Sequence, residues 1–211
     1  MRTVKVNLYS VKELTGKAKD RAIEAGRQWH NETFDADNMT EQLQDHAKEK
    51  FGVVTDECMW SISFCQGDGV AFYGNLDLDV LSAKHRNVAA ILRKAKKHDI
   101  TLSVKIEGRN GRYHHYNTMD VEVENDYGFR YNGKKYREAR LTELERISDG
   151  LAEELRAAVK SILVDASHDT YSWGEDCILA DSEDDAIEDL LDANDWEFDV
   201  NGRVFNHPEQ E

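Results

Sequence analysis

Ile100-Thr101-Leu102-Ser103-Val104-Lys105-Ile106 alternates apolar and polar side chains without a break. That is the period of a strand with one face buried and the other wet. Met119, Val121 and Val123 repeat the alternation, and Gly108-Arg109-Asn110-Gly111 offers a turn between the two strands. Such a hairpin needs apolar cover on one face, and the covering elements can be read on both sides of it.

Upstream, residues 82–98 place Val88, Ile91, Leu92 and Ala95 at helical spacing, while Lys84, Arg86, Arg93, Lys94, Lys96 and Lys97 form the opposite face. Before them, residues 59–81 read as a β-hairpin. Trp60, Ile62 and Phe64 alternate on its first strand, Val70 and Phe72 on its second, and Gln66-Gly67-Asp68-Gly69 makes the turn. Met39, Leu43, Ala47 and Phe51 mark a helix over 37–50, stopped by Gly52. Residues 3–9 alternate as a half-buried strand. Ser10 and Glu13 form a capping pair for a helix that carries Leu14, Ala18 and Ala22 and ends near Trp29.

Downstream, residues 127–136 are a polar, glycine-punctuated excursion. A long helix over 137–167 follows, with Leu141, Leu144, Ile147, Leu151, Leu155, Val159, Ile162 and Leu163 at threes and fours. Gly150 weakens it by about 1 kcal/mol relative to alanine and suggests a kink or a close contact. Ser182 caps a last helix through Asn194, and residues 196–205 form a hairpin turning at Asn201-Gly202. The expected fold class is α+β: an antiparallel sheet of four or more strands on helices, with one long helix and an acidic helix-hairpin at the end. The expected division is a core domain over 1–136, with 137–211 packed upon it, the whole being compatible with a single domain.

Charge is distributed unevenly. Residues 1–83 carry net −5, residues 84–140 carry +7 and residues 141–211 carry −17, for a total of −15. Between Asp165 and Val200 there are 14 Asp or Glu and no Lys or Arg. Such a field repels nucleic-acid and membrane phosphates and attracts basic protein surfaces. It therefore argues against direct nucleic-acid binding, although the 84–97 helix could touch phosphates, or an acidic end, either its own or that of a neighbour in a head-to-tail homo-oligomer. No stretch approaches the ~20 apolar residues that span a bilayer, and the N-terminus lacks the apolar core of a secretion signal. A cytoplasmic location is expected. Cys58, Cys65 and Cys177 form no Cys-x-x-Cys pair and read as small buried hydrophobes.

No constellation reads as an active site. The Gln66–Gly69 turn, with Gln66 and Asp68 as its polar groups, is the one candidate ligand loop. It lies between two strands rather than before a helix, and Asp68 is its single charge. His114 and His115 are adjacent, so on a strand they point to opposite faces and cannot grip one ion. No Gly-x-Ser-x-Gly elbow or His-Glu-x-x-His set occurs. Neither cofactor nor metal is expected, and the chain reads as a binding protein rather than an enzyme. Its candidate binding surface is acidic: Asp181, Glu183, Asp184, Asp185, Glu188, Asp189, Asp192 and Asp195, with Trp173 and Trp196 as apolar anchors.

Three blocks of sequence resemble a group of uncharacterised bacteriophage accessory proteins, some of them labelled antitoxins of toxin–antitoxin stability systems. The first is Tyr9-Ser10-Val11-Lys12-Glu13-Leu14 with Ala18-Lys19 and Ala22-Ile23. The second is Cys65-Gln66-Gly67-Asp68-Gly69-Val70. The third joins Ser182-Glu183-Asp184-Asp185-Ala186-Ile187 to Ala193-Asn194-Asp195-Trp196-Glu197-Phe198 and Gly202-Arg203. Together they span about a fifth of the chain. The resemblance implies phage or prophage origin and a role in host interaction, with no reaction or catalytic residue attached. The leading expectation is an anti-defence inhibitor whose carboxylates mimic a phosphate row and meet a basic host protein, such as a nucleic-acid-binding defence or CRISPR component. The alternatives are an antitoxin-like neutraliser of a basic toxin, and a small-ligand protein or enzyme using the Gln66–Gly69 loop.

Overall fold

The computed structural model describes residues 5–63, 67–108, 113–127 and 138–206. A 3-10 turn at Val11–Glu13 precedes helices α1 (Lys17–Glu32) and α2 (Ala36–Phe51). Strands β1 (Glu57–Ser61) and β2 (Gly69–Asn75) follow, then helices α3 (Leu78–Lys84) and α4 (Arg86–Lys97). Next come strands β3 (Ile100–Gly108) and β4 (Met119–Tyr127), and the long helix α5 (Glu138–Asp181). Helix α6 (Asp184–Ala193) and strands β5 (Glu197–Phe198) and β6 (Val204–Asn206) complete the chain. This is the α+β class expected from the alternation, with a four-stranded antiparallel sheet in the order β1-β2-β3-β4.

The chain divides into two units, one of residues Asp37–Gly174 and one of Met1–Ala36 with Glu175–Glu211. The sequence-based expectation placed a boundary at 136/137, between residues that lie outside those described. Val11, Leu14, Ala22 and Ile23 share an apolar core with Ile187, Leu191, Trp196 and Phe198, so burial joins segments far apart in the chain.

In the central unit β3 and β4 pair in continuous register, from Ile100↔Tyr127 to Gly108↔Met119. Their alternation puts Ile100, Leu102, Val104, Ile106, Met119 and Val121 into the core, each at most 8% exposed. Helix α5 covers this apolar face with Leu151, Leu155, Val159, Ile162 and Leu163. Each such buried side chain stabilises the fold by about 1.5–3 kcal/mol. Two side-chain bonds fix the helix to the strands: Ser167 Oγ donates to the Val70 carbonyl, and Arg156 Nε donates to the Val121 carbonyl at 3.2 Å.

In the terminal unit Val11, Leu14, Ala22, Ile23, Ile187, Leu191, Trp196 and Phe198 form one buried cluster. Helices α1 and α6 approach closely at Gly26, where an added Cβ would stand 2.8 Å from Ile187 Cγ2. The expected Asn201-Gly202 turn is present. Gly202 has φ +74°, and a Cβ there would collide with the Ala18 carbonyl oxygen, so both the backbone conformation and the contact require glycine.

Several local expectations are corrected. The strand read over 3–9 reduces, in its described part, to one bridge between Tyr9 and Phe198, because its partner strand β5 is only two residues long. The Ser10–Glu13 cap exists, with Ser10 N–H donating to Glu13 Oε2 at 2.9 Å, but it closes the 3-10 turn. Helix α1 starts only after Gly16. The helix read over 82–98 is two helices broken at His85, the first capped by Asp77, whose carboxylate accepts from the Asp79 and Val80 amides. The long helix continues to Asp181, and a Cβ added at Gly150 within it would meet nothing within 4 Å. Ser182 bonds back to the Ile178 carbonyl at 2.7 Å, so Glu183 stands at the N-cap of α6. The turn at 109–111 and the excursion at 128–136 lie outside the described residues.

Candidate functional site

Helix α6 has apolar residues at positions 187 and 191, four apart, and both are fully buried against α1. That anchorage fixes where its carboxylates go. Asp184, Asp185, Asp189 and Asp192 are exposed and Glu188 is half-buried. The neighbouring N-terminal segment brings cations to several of them. Arg27 Nη2 donates to Asp184 Oδ1 at 2.5 Å, Lys19 Nζ to Glu188 Oε2 at 2.5 Å, and Lys12 Nζ to Asp192 Oδ2 at 2.7 Å, with Asp189 Oδ1 at 3.7 Å. The Asp192 hydrogen bond is the main reason that the Lys12 ammonium pKa is raised.

Asp181, Glu183, Asp185 and Asp195 are also exposed, and they form no ion pair among the described residues. The eight predicted carboxylates thus separate into four that are compensated and four that are displayed. Across residues 1–36 and 175–211 there are 8 basic and 19 acidic side chains, net −11. The pairing lowers the field at this surface without cancelling it.

Of the two tryptophan anchors, Trp196 is withdrawn from the surface and Trp173 belongs to the other unit. Trp196 is 3% exposed and meets Trp29 edge-on at 5.5 Å between centroids. Its large apolar area fills the terminal core, as burial of an indole favours. Trp173 is half-buried in the central unit, stacked on His46 at 4.6 Å and 14°. The exposed large apolar side chain nearest in sequence to the displayed carboxylates is Leu179, at 49% exposure.

Gln66 lies outside the described residues. Asp68 acts as a latch across its own hairpin. Its carboxylate accepts from Ser61 Oγ at 2.8 Å, the Ser63 amide at 2.7 Å and Ser63 Oγ at 3.1 Å. Those bonds use the lone pairs a ligand would need. His114 and His115 sit in the segment before a 3-10 turn rather than on a strand, and His115 Nδ1 accepts the Asn117 amide at 3.1 Å. Cys58 is buried, which pushes its thiol pKa up to about 12 and leaves it protonated.

Two clusters were not anticipated from the sequence. In the central unit His46 Nε2 and Lys50 Nζ meet the two carboxylate oxygens of Asp169 at 2.8 and 2.6 Å. The Lys50 hydrogen bond, then that of His46, holds the Asp169 carboxyl below its ordinary pKa. The separation of 123 positions between His46 and Asp169 hid this network. The other cluster is the open face of β3 and β4, where Thr101, Ser103, Lys105 and Glu107 lie opposite Asp126, Glu124, Glu122 and Asp120, all eight exposed. A shallow depression of about 410 Å³ on it is lined by Thr101, Ser103, Glu124, Asn125 and Asp126. The alternation that revealed β4 carried this row in its polar positions.

A protein family described as a domain of unknown function (DUF8835) matches residues 29–176 of the 211. The chain belongs to that family. No curated protein and no solved structure matches it.

The DUF8835 segment contains the whole central unit, with the His46–Asp169–Lys50 network and the β3–β4 face. Helix α6, the terminal hairpin and displayed carboxylates Asp181, Glu183, Asp185 and Asp195 fall beyond its end. Among the described residues no helix is long and apolar enough to cross a membrane, and no group of three or more His, Cys, Asp or Glu side chains could hold a metal ion.

Proposed function

We propose that this chain is a phage-encoded accessory protein that binds and inhibits a basic host protein through its acidic terminal unit. The observation that carries the reading is the set of displayed carboxylates, Asp181, Glu183, Asp185 and Asp195, in a unit of net −11. Carboxylates held on a helix end and its following cap resemble a phosphate row to a surface of lysines and arginines. Their long-range field speeds encounter and selects partners by sign. Leu179, exposed within α5 two residues before Asp181, takes the anchoring role that the buried Trp196 cannot fill. The partner class is a nucleic-acid-binding defence component, CRISPR effectors included. The same surface would also serve the antitoxin-like reading, with a basic toxin as its target.

The test is a D181K/E183K/D185K/D195K variant, which avoids the carboxylates that α6 uses to hold Lys12, Lys19 and Arg27. Pull-downs from host lysate at low salt, read by mass spectrometry, should recover basic nucleic-acid-binding proteins with the wild type only. Added duplex DNA should compete with that capture. Equal recovery by both proteins, at unchanged melting temperature, would remove the acidic surface from the function.

A further inference from the structure

Strand β4 is the last in the sheet order, and its polar positions are all acidic: Asp120, Glu122, Glu124 and Asp126. Successive residues on one face of a strand stand about 6.8 Å apart, so this row runs about 20 Å. The segment before β4 covers β2 on the same side, where the Tyr73 hydroxyl bonds Thr118 Oγ1 at 2.9 Å. Among the described residues no segment covers the β3–β4 half of the face, whose side chains are exposed. Among the described residues Lys105 is the one cation on that half, and it is engaged by Glu107 at 2.7 Å. That hydrogen bond is the largest cause of its raised pKa, with Glu122 and Glu124 adding to it. Glu122, Glu124 and Asp126 form no ion pair among the described residues.

Helix α4 is the complement. Val88, Ile91 and Ala95 bury one face, and at 100° per residue Arg86, Arg93 and Lys97 fall on the opposite ridge, flanked by Lys96. All four are exposed, and none forms an ion pair among the described residues, whereas Lys94 is held by Glu154 at 3.0 Å. The ridge spans about 16 Å, close to the length of the acidic row. Helix α4 packs against β3, whose exposed side chains Thr101, Ser103, Lys105 and Glu107 leave only the other, buried face to be covered. The two patches therefore lie on opposite sides of the same unit, so neither can neutralise the other within one molecule.

We infer that the open face of β3 and β4 is a docking surface for helix α4 of a second copy of this chain. The Arg93 and Lys97 side chains approach Glu122, Glu124 and Asp126. The depression between Thr101, Ser103 and Asp126 receives one cationic head with hydroxyl and carboxylate oxygens. The contact joins two different patches, so it is heterologous and builds either a ring or a chain of copies. Dominated by exposed charges, it is weak, with a dissociation constant of the order of micromolar or above, and it is screened by salt.

Sedimentation equilibrium of the full chain, from about 5 to about 500 µM and from about 0.05 to about 0.5 M salt, tests this. The expected result is self-association that weakens at least tenfold across the salt range. E124K/D126K and R93E/K97E should each be monomeric in low salt at wild-type melting temperature. An equimolar mixture of the two should associate again, the two variants alternating in the ring or chain, because the basic helix and strand of one match the acidic strand and helix of the other. A wild type that stays monomeric in low salt, or association that survives both reversals, would overturn the inference. Failure of the mixture to associate when both variants are folded would do the same. None of these variants alters the terminal carboxylates, so the result is independent of host-partner binding.

Discussion

Helix α6 carries five carboxylates and strand β4 four, and the two rows end in different electrostatic states. On α6, Asp184, Asp189 and Asp192 are met by Arg27 and Lys12, and half-buried Glu188 by Lys19. On β4, Glu122, Glu124 and Asp126 lack any ion pair among the described residues, and Lys105 opposite Glu122 already serves Glu107. The denser acidic run in the sequence is thus the better compensated one. Apolar docking explains why. Burying Ile187 and Leu191 against Ala22, Ile23 and Gly26 brings α1 alongside α6 with Lys19 and Arg27 at its flanks. β4 sits last in the sheet order, and β3 offers it a single lysine.

This contrast can be broken most severely through its apolar scaffold. Leu191→Ala empties a fully buried site and should destabilise the terminal unit by about 2–5 kcal/mol, measured by denaturant unfolding. A loss below about 1 kcal/mol would mean that ion pairs rather than burial hold α6 in place. Lys19→Ala should cost about 1 kcal/mol or less, since its pair with Glu188 is only partly withdrawn from water, and the cost should shrink in high salt. The smallest effect belongs to β4. Neutralising its row as E122Q/E124Q/D126N should change stability by no more than about 0.5 kcal/mol, in the stabilising direction, because like charges on one strand face repel. A clear destabilisation there would reveal a compensating partner and erase the difference between the rows.

Much of the fold could be read locally. The Ile100–Ile106 alternation gave β3 and its buried face, the spacing of Leu151, Leu155, Val159 and Leu163 gave the core stripe of α5, and Asn201-Gly202 gave the last turn. Each of these is a pattern of period or turn chemistry within a few residues. The candidate site was legible only in part. The list of acidic residues near the C-terminus could not separate Asp184, Glu188, Asp189 and Asp192, which find partners about 160–180 residues away, from Asp181, Glu183, Asp185 and Asp195, which form no ion pair among the described residues. Trp196 looked like an exposed anchor because interface and core both favour indoles. The acidic strand was hidden inside a segment whose net charge is +7, since a sum over residues ignores which side of a sheet each one occupies.

The amino-acid sequence by itself determined the element types, the apolar face of each element and the dipolar distribution of charge, because these follow from backbone periodicity and side-chain chemistry at short range. Tertiary structure alone decided that both ends of the chain share one core, that α1 compensates α6, that Asp169 joins His46 to Lys50, and that the basic ridge of α4 and the acidic row of β4 lie on opposite sides of one unit. Those outcomes depend on which apolar faces are buried together. Burial is non-directional and acts between residues far apart in the chain, so no local pattern records it.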